Sequence, residues 1–167
     1  MKFFNKLSRS VKGRVAVITG AGSGMGEATA KVFAGEGVKV IATDVNFSEV
    51  ERVAEEIHSM DGECVPFCLD VTDNASIEEC IKSTINTYNA LDFVINNAGI
   101  SSVTSVDDKD YEQYWDDTLN VVLTGQVRLI RSALPHLLQS KNGRIVNILS
   151  LIHISEPTRL RRISYAV

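Results

Sequence analysis

A chain of 167 residues with 44% hydrophobic content, 23% charged content and 11 glycines has the size and make-up of one globular domain, neither fibrous nor disordered. Its net charge of -4 argues against a general nucleic-acid surface, which needs Lys and Arg clustered against phosphate, and points to a small-molecule partner. Cys64, Cys68 and Cys80 are odd in number and lack histidines at ligand spacing, so they read as reduced, mostly buried thiols of a cytoplasmic protein, with no metal site.

Residues 1–12 alternate charge with apolar side chains and contain no secretory core, and no later run has the length of a membrane span. From there, short apolar runs alternate with helical periodicity, the pattern of a parallel sheet covered by helices. Strands are expected at 14–19, 39–43, 64–69, 91–95 and 144–148. The first helix is expected over 24–36, with Ala28, Val32 and Phe33 facing inward and Gly37 as its stop. Ser48 followed by Glu51 has capping-box spacing, and Val50, Val53, Ala54, Ile57 and Met60 continue a second helix. Ile77, Ile81, Ile85 and Tyr88 mark a third. A long helical stretch at 111–140 is expected to break or end near Pro135. Asp107, Asp108 and Asp110 read as solvated surface, and Trp115 with Tyr111 and Tyr114 as core or subunit packing.

The connection Thr19-Gly20-Ala21-Gly22-Ser23-Gly24-Met25-Gly26 joins the first strand to the first helix. Glycines there permit a tight turn and close backbone approach, and the free N–H groups of the helix present partial positive charge to phosphate oxygens. Asp44 ends the second apolar run 24 residues beyond Gly20, near the spacing of a ribose-binding carboxylate. Two further strand ends carry Asp70-Val71 and Asn96-Asn97-Ala98-Gly99. Asp70 has a second reading, as the cap of a helix beginning near Asp73, and Asn97 and Gly99 have one as turn residues.

With TGxxxGxG after the first strand and NNAG after the fourth, the chain resembles the short-chain dehydrogenase/reductase family over residues 11–148. The resemblance implies a Rossmann-type doubly wound parallel sheet, truncated here after the fifth strand. It also implies NAD-dependent hydride transfer between nicotinamide and an alcohol or carbonyl substrate, and a homo-oligomer paired through helices of the 111–140 region. Carried over by position, Gly20, Ser23, Gly24, Met25 and Gly26 cradle the pyrophosphate, Asp70 and Val71 read the adenine edge, and Asn97, Ala98 and Gly99 line the cofactor. Asp44 accepts from the ribose hydroxyls and repels a 2′-phosphate, which selects NAD over NADP.

The chain departs from that family in three places. Val122 stands where family members carry the asparagine of the proton relay, with Asn120 two residues earlier. Ser150 matches the serine that holds the substrate oxygen. The family's catalytic tyrosine falls near Ile163, and Tyr165 is followed only by Ala166 and Val167, so no Tyr-x-x-x-Lys is completed. Residues 149–167 resemble an in-frame translation of a sequencing-library adapter and are read as non-native, a divergent basic tail being the alternative. The chain is accordingly expected to hold the cofactor-binding half of an oxidoreductase and to be inactive alone. The competing function is a non-catalytic NAD-binding or sensing module.

Overall fold

A computed structural model describes residues 10–100 and 105–148. In chain order it contains β1 (Val15–Thr19), α1 (Gly24–Gly35), β2 (Lys39–Asp44), α2 (Phe47–Ser59), β3 (Glu63–Cys68), α3 (Asn74–Tyr88), β4 (Phe93–Asn96), α4 (Tyr111–Leu119), a π-helical turn (Asn120–Gly125), α5 (Gln126–Leu137) and β5 (Arg144–Asn147). The strands form one parallel sheet in the order β3-β2-β1-β4-β5. This is the Rossmann-type α/β arrangement expected from the alternating pattern. Strand order reverses between β1 and β4, which opens a crevice at their carboxyl ends. Pro66 interrupts the donor pattern of β3 at little cost because β3 is an edge strand.

Alternation along β1 divides the core in two. Ala16 and Ile18 meet Ala30 and Ala34 of α1 and Val50, Val53, Ala54 and Ile57 of α2. Val17 on the other face joins Ile41 and Leu69, then Ile77, Cys80 and Ile81 of α3 and Leu129, Ala133 and Leu137 of α5. Burial pushes the thiols of Cys64 and Cys80 up to about 11 and about 12, whereas Cys68 is exposed; all three are free.

Several local expectations are corrected. The inner face of α1 is Gly26, Ala30 and Ala34, while Ala28 is exposed and Val32 is 63% exposed. A helix pressed close to a sheet puts its smallest side chains at the contact, so of the three expected inner residues Phe33 alone packs against the core, edge-on to Phe93. The second helix begins at Phe47 after Asn46, and Ser48 lies inside it with its hydroxyl donating to Asn46 Oδ1, so no capping box forms. Met60 falls beyond that helix and is 62% exposed. The 111–140 stretch breaks at the π-helical turn; Pro135 sits in the last turn of α5, which runs on to Leu137. Trp115 stacks on Tyr111 and is 55% exposed, so it is not core.

Candidate functional site

Leaving β1, the chain turns at Gly20 (φ +65°), where a Cβ would stand 2.9 Å from Ala98 Cα. That contact, together with the positive φ, requires glycine. The Ala21 N–H donates to the Thr43 carbonyl at 2.9 Å and the Gly22 N–H to Asp44 Oδ2 at 3.2 Å, which tie the loop to the end of β2. Gly26 then packs directly on the Gly20 carbonyl. The next donors are left open. Among the described residues no acceptor meets the backbone N–H of Ser23, Gly24, Met25 or Gly26, and Ser23 makes no side-chain cap. Ser23, Gly24 and Met25 are exposed, so α1 presents an uncapped, positively polarised end to solvent.

Beside it stands Asp44, whose Oδ2 holds Gly22 and whose Oδ1 accepts from the Asn46 N–H at 3.1 Å. Each oxygen keeps a further lone pair, so the carboxylate is fixed in place yet able to accept more. A cavity of about 120 Å³ opens next to it between Asp44, Val45, Leu69, Asp70 and Val71 on one side and Thr19, Gly20, Ala98, Gly99, Ile100 and Val121 on the other. None of these lining residues is Lys or Arg. Asp70 Oδ1 accepts from the Thr72 N–H and hydroxyl, and the cap of α3 is instead Asp73, which accepts from the N–H groups of Ala75 and Ser76. The helix-cap reading of Asp70 is thereby excluded.

Asn97 fastens the two sides of the crevice. Its Nδ2 donates to the carbonyls of Thr19 and Gly20 at 3.0 and 3.1 Å, and its N–H and that of Ala98 both donate to Thr19 Oγ1. Its Oδ1 is buried without a partner among the described residues. Thr19, 2% exposed, opens the TGxxxGxG motif but carries no role in the sequence reading; the structure makes it the acceptor that holds the start of the NNAG turn. The π-helical turn brings Val122 to this crevice, its Cγ1 lying 3.7 Å from where a Cβ on Gly99 would be. Asn120 is turned away, its Oδ1 accepting from Arg128 at 2.6 Å. Gly125 closes the turn against Val71, where a Cβ would meet the Val71 carbonyl at 3.0 Å.

A charged cluster lies behind the glycine loop. Arg52 of α2 donates to Glu27, Glu49 and Glu56 and, through Nη2, to the Gly22 carbonyl at 2.9 Å. Lys31 joins Glu27 and Glu56. Arg52 first, then Lys31, hold the Glu27 carboxyl down at about 2. Within each helix the pairs Glu27–Lys31, Glu49–Arg52 and Arg52–Glu56 stand at i,i+3 or i,i+4 spacing, which the sequence shows; the contacts that join the two helices carry no such signal.

A larger recess of about 350 Å³ lies at the opposite edge of the sheet, among Arg14, Asp92, His136 and Lys141. The carboxyl ends of α3 and α5 face it, which disfavours a phosphate there. Asp92 is occupied structurally, accepting from the Val15 N–H at 3.0 Å and from Ser140. Among the described residues no cluster of His, Cys, Asp and Glu could hold a metal ion, and no helix is long and apolar enough to cross a membrane. Gly20, Ser23, Gly24, Met25, Gly26, Asp44, Asp70, Val71, Asn97, Ala98 and Gly99 gather at one sheet edge; Ser150 and Tyr165 lie outside the described residues.

An uncapped helix end and an oriented carboxylate at the switch point of a parallel sheet define the dinucleotide-binding class of α/β proteins. The sequence profile of the short chain dehydrogenase family matches residues 14–161, and the chain belongs to that family. It is 35% identical over 144 residues to the 3-oxoacyl-(acyl-carrier-protein) reductase of Thermotoga maritima, covering 86% of this chain and 58% of that protein. It is similar to an uncharacterized oxidoreductase of Staphylococcus aureus, with 35% identity over 138 residues, 83% of this chain and 58% of the relative. A third relative is the (2S)-((R)-hydroxy(phenyl)methyl)succinyl-CoA dehydrogenase subunit BbsD of Thauera aromatica, 34% identical over 140 residues, 84% of this chain and 56% of that one. The chain therefore spans little more than half the length of these relatives.

Proposed function

We propose that this chain binds NAD and that the protein it represents is an NAD-dependent oxidoreductase acting on an alcohol or carbonyl substrate. The observation that carries the reading is the pairing of the open α1 terminus with Asp44 across one loop. Gly20, Ser23, Gly24, Met25 and Gly26 would hold the pyrophosphate, and Asp44 the ribose hydroxyls. Asp70 and Val71 would border the adenine, with Asn97, Ala98 and Gly99 on the far wall. When bound, the nicotinamide supplies hydride chemistry.

Asp44 also supports NAD over NADP. A 2′-phosphate would meet this carboxylate in a cavity lined by no cation, and the Arg52 guanidinium behind the loop is already surrounded by three glutamates. Titration with NADH and NADPH by nucleotide fluorescence tests it: NADH binds more tightly, and tighter NADPH binding overturns the assignment. The reading includes residues 11–148 as the cofactor-binding domain, residues 149–167 as a non-native tail, a cytoplasmic location and pairing of copies through α4 and α5. Ser150 keeps only its positional match.

A second reading, a nucleotide-binding module without turnover, is favoured by Val122, an apolar side chain beside Gly99 where a proton relay needs a polar one. Steady-state NADH oxidation against a panel of carbonyl compounds separates the two, since measurable turnover removes the module reading.

A further inference from the structure

The geometry points to Arg52 as a positioning residue for the pyrophosphate, acting through the Gly22–Ser23 peptide rather than by touching the ligand. This rests on the reading of the glycine loop as a dinucleotide site. Arg52 belongs to α2, outside every motif of that loop, yet its Nη2 donates to the Gly22 carbonyl at 2.9 Å. A peptide unit is planar and trans, so its C=O and N–H point in opposite directions. Fixing the Gly22 carbonyl toward α2 therefore fixes the Ser23 N–H away from α2, and Ser23 is the first of the four loop donors left without an acceptor. The preceding peptide is fixed as well, because the Gly22 N–H is held by Asp44 Oδ2. Gly22 is thus gripped at both ends by side chains, and a Cβ on it would stand 2.9 Å from Glu49 Cβ.

The grip is stiff because Arg52 is itself fixed. Its Nε donates to Glu49 at 3.1 Å, Nη1 to Glu56 at 2.7 Å and Nη2 to Glu27 at 3.0 Å. A guanidinium presents its donors in one plane, so three carboxylates on three of its nitrogens define the direction of the bond to Gly22. A cation on the carbonyl side also polarises the peptide and strengthens its N–H as a donor. The arrangement leaves the cation neutralised and behind the loop, with the amide in front. Anion recognition then falls to a backbone donor oriented in advance, which lowers the ordering that binding must impose.

The test compares ligands with and without the pyrophosphate in this chain. NADH binding is followed by fluorescence, with ADP and adenosine as competitors, in the wild type, Arg52→Met, Arg52→Lys and Glu56→Gln. Arg52→Met weakens NADH and ADP about five- to tenfold and leaves adenosine within about twofold. Arg52→Lys, which keeps one donor for the Gly22 carbonyl, falls between wild type and Arg52→Met. Glu56→Gln loosens one of the three carboxylates that hold Arg52 and weakens ADP by less than Arg52→Met does, with adenosine within about twofold. Equal weakening of adenosine and ADP, no weakening of either, or a Glu56→Gln effect on ADP as large as that of Arg52→Met overturns the inference. If Arg52→Met does not fold, Arg52→Lys decides by the same ADP-to-adenosine comparison. A wild-type chain that binds no NADH overturns the dinucleotide reading and this inference with it, whereas NADH binding with a flat Arg52 series overturns the inference alone.

Discussion

Gly26 is where the fold and the site meet most tightly. A Cβ built there would lie 2.0 Å from the Gly20 carbonyl oxygen and 2.6 Å from Asn97 Nδ2, against the 3.0 Å that real Cβ contacts keep. Relief of Gly26→Ala requires α1 to retreat about an ångström from the loop, because the obstacle is backbone and not the end of a flexible side chain. That retreat strains the packing of Ala30 and Ala34 on the sheet, at about 1–3 kcal/mol. It also disturbs the Asn97 bonds to Thr19 and Gly20, each worth about 1 kcal/mol. The expected loss is about 2–4 kcal/mol in urea unfolding, accompanied by loss of NADH binding. Gly35→Ala is the internal control. It lies in the same helix with nothing within 4 Å of its Cβ and without a positive φ, so it should be neutral or stabilise by up to about 1 kcal/mol. Gly26→Ala with wild-type stability and NADH affinity would refute the close-approach argument.

Asp44→Ala removes the proposed ribose acceptor and the anchor of Gly22 together, so NADH should bind about tenfold or more weakly while the preference over NADPH shrinks; an unchanged NADH-to-NADPH ratio speaks against Asp44 as the selector. Glu27 has its carboxyl lowered from 4.5 to about 2 in the folded state, held down by Arg52 and then Lys31, with Glu56 lowered beside it. A depressed carboxyl stabilises the fold above its unfolded pKa, and the contribution disappears as pH falls from about 5 toward 2. Urea midpoints should therefore decline over that window and decline less in Glu27→Gln; identical profiles would contradict the ion cluster. A maleimide at neutral pH should modify Cys68 in the native chain and leave Cys64 and Cys80 until denaturant is added, and rapid native labelling of all three would contradict the burial.

That these residues gather at one sheet edge was legible in the sequence because the signals are local in the chain. Glycines at fixed offsets after an apolar run, an acid ending the next run and NNAG ending the fourth each report a strand end. Alternating strands and helices place those ends on one edge of a parallel sheet. Less legible were contacts between residues far apart in sequence. Arg52 reaches Gly22 across 30 residues, and Asn97 reaches Thr19 across 78.

From the amino-acid order alone come the doubly wound architecture, the glycine loop between β1 and α1 and the acidic residue beside it, since turn chemistry and hydrophobic period act within a few residues. Only tertiary packing decided that α1 buries Gly26, Ala30 and Ala34 in place of Ala28 and Val32, because the sheet selects the face that allows closest approach. Packing likewise decided that the π-helical turn aims Val122 at Gly99 and Asn120 at Arg128. An extra residue in one helical turn rotates everything after it, and heptad-like spacing carries no record of that rotation.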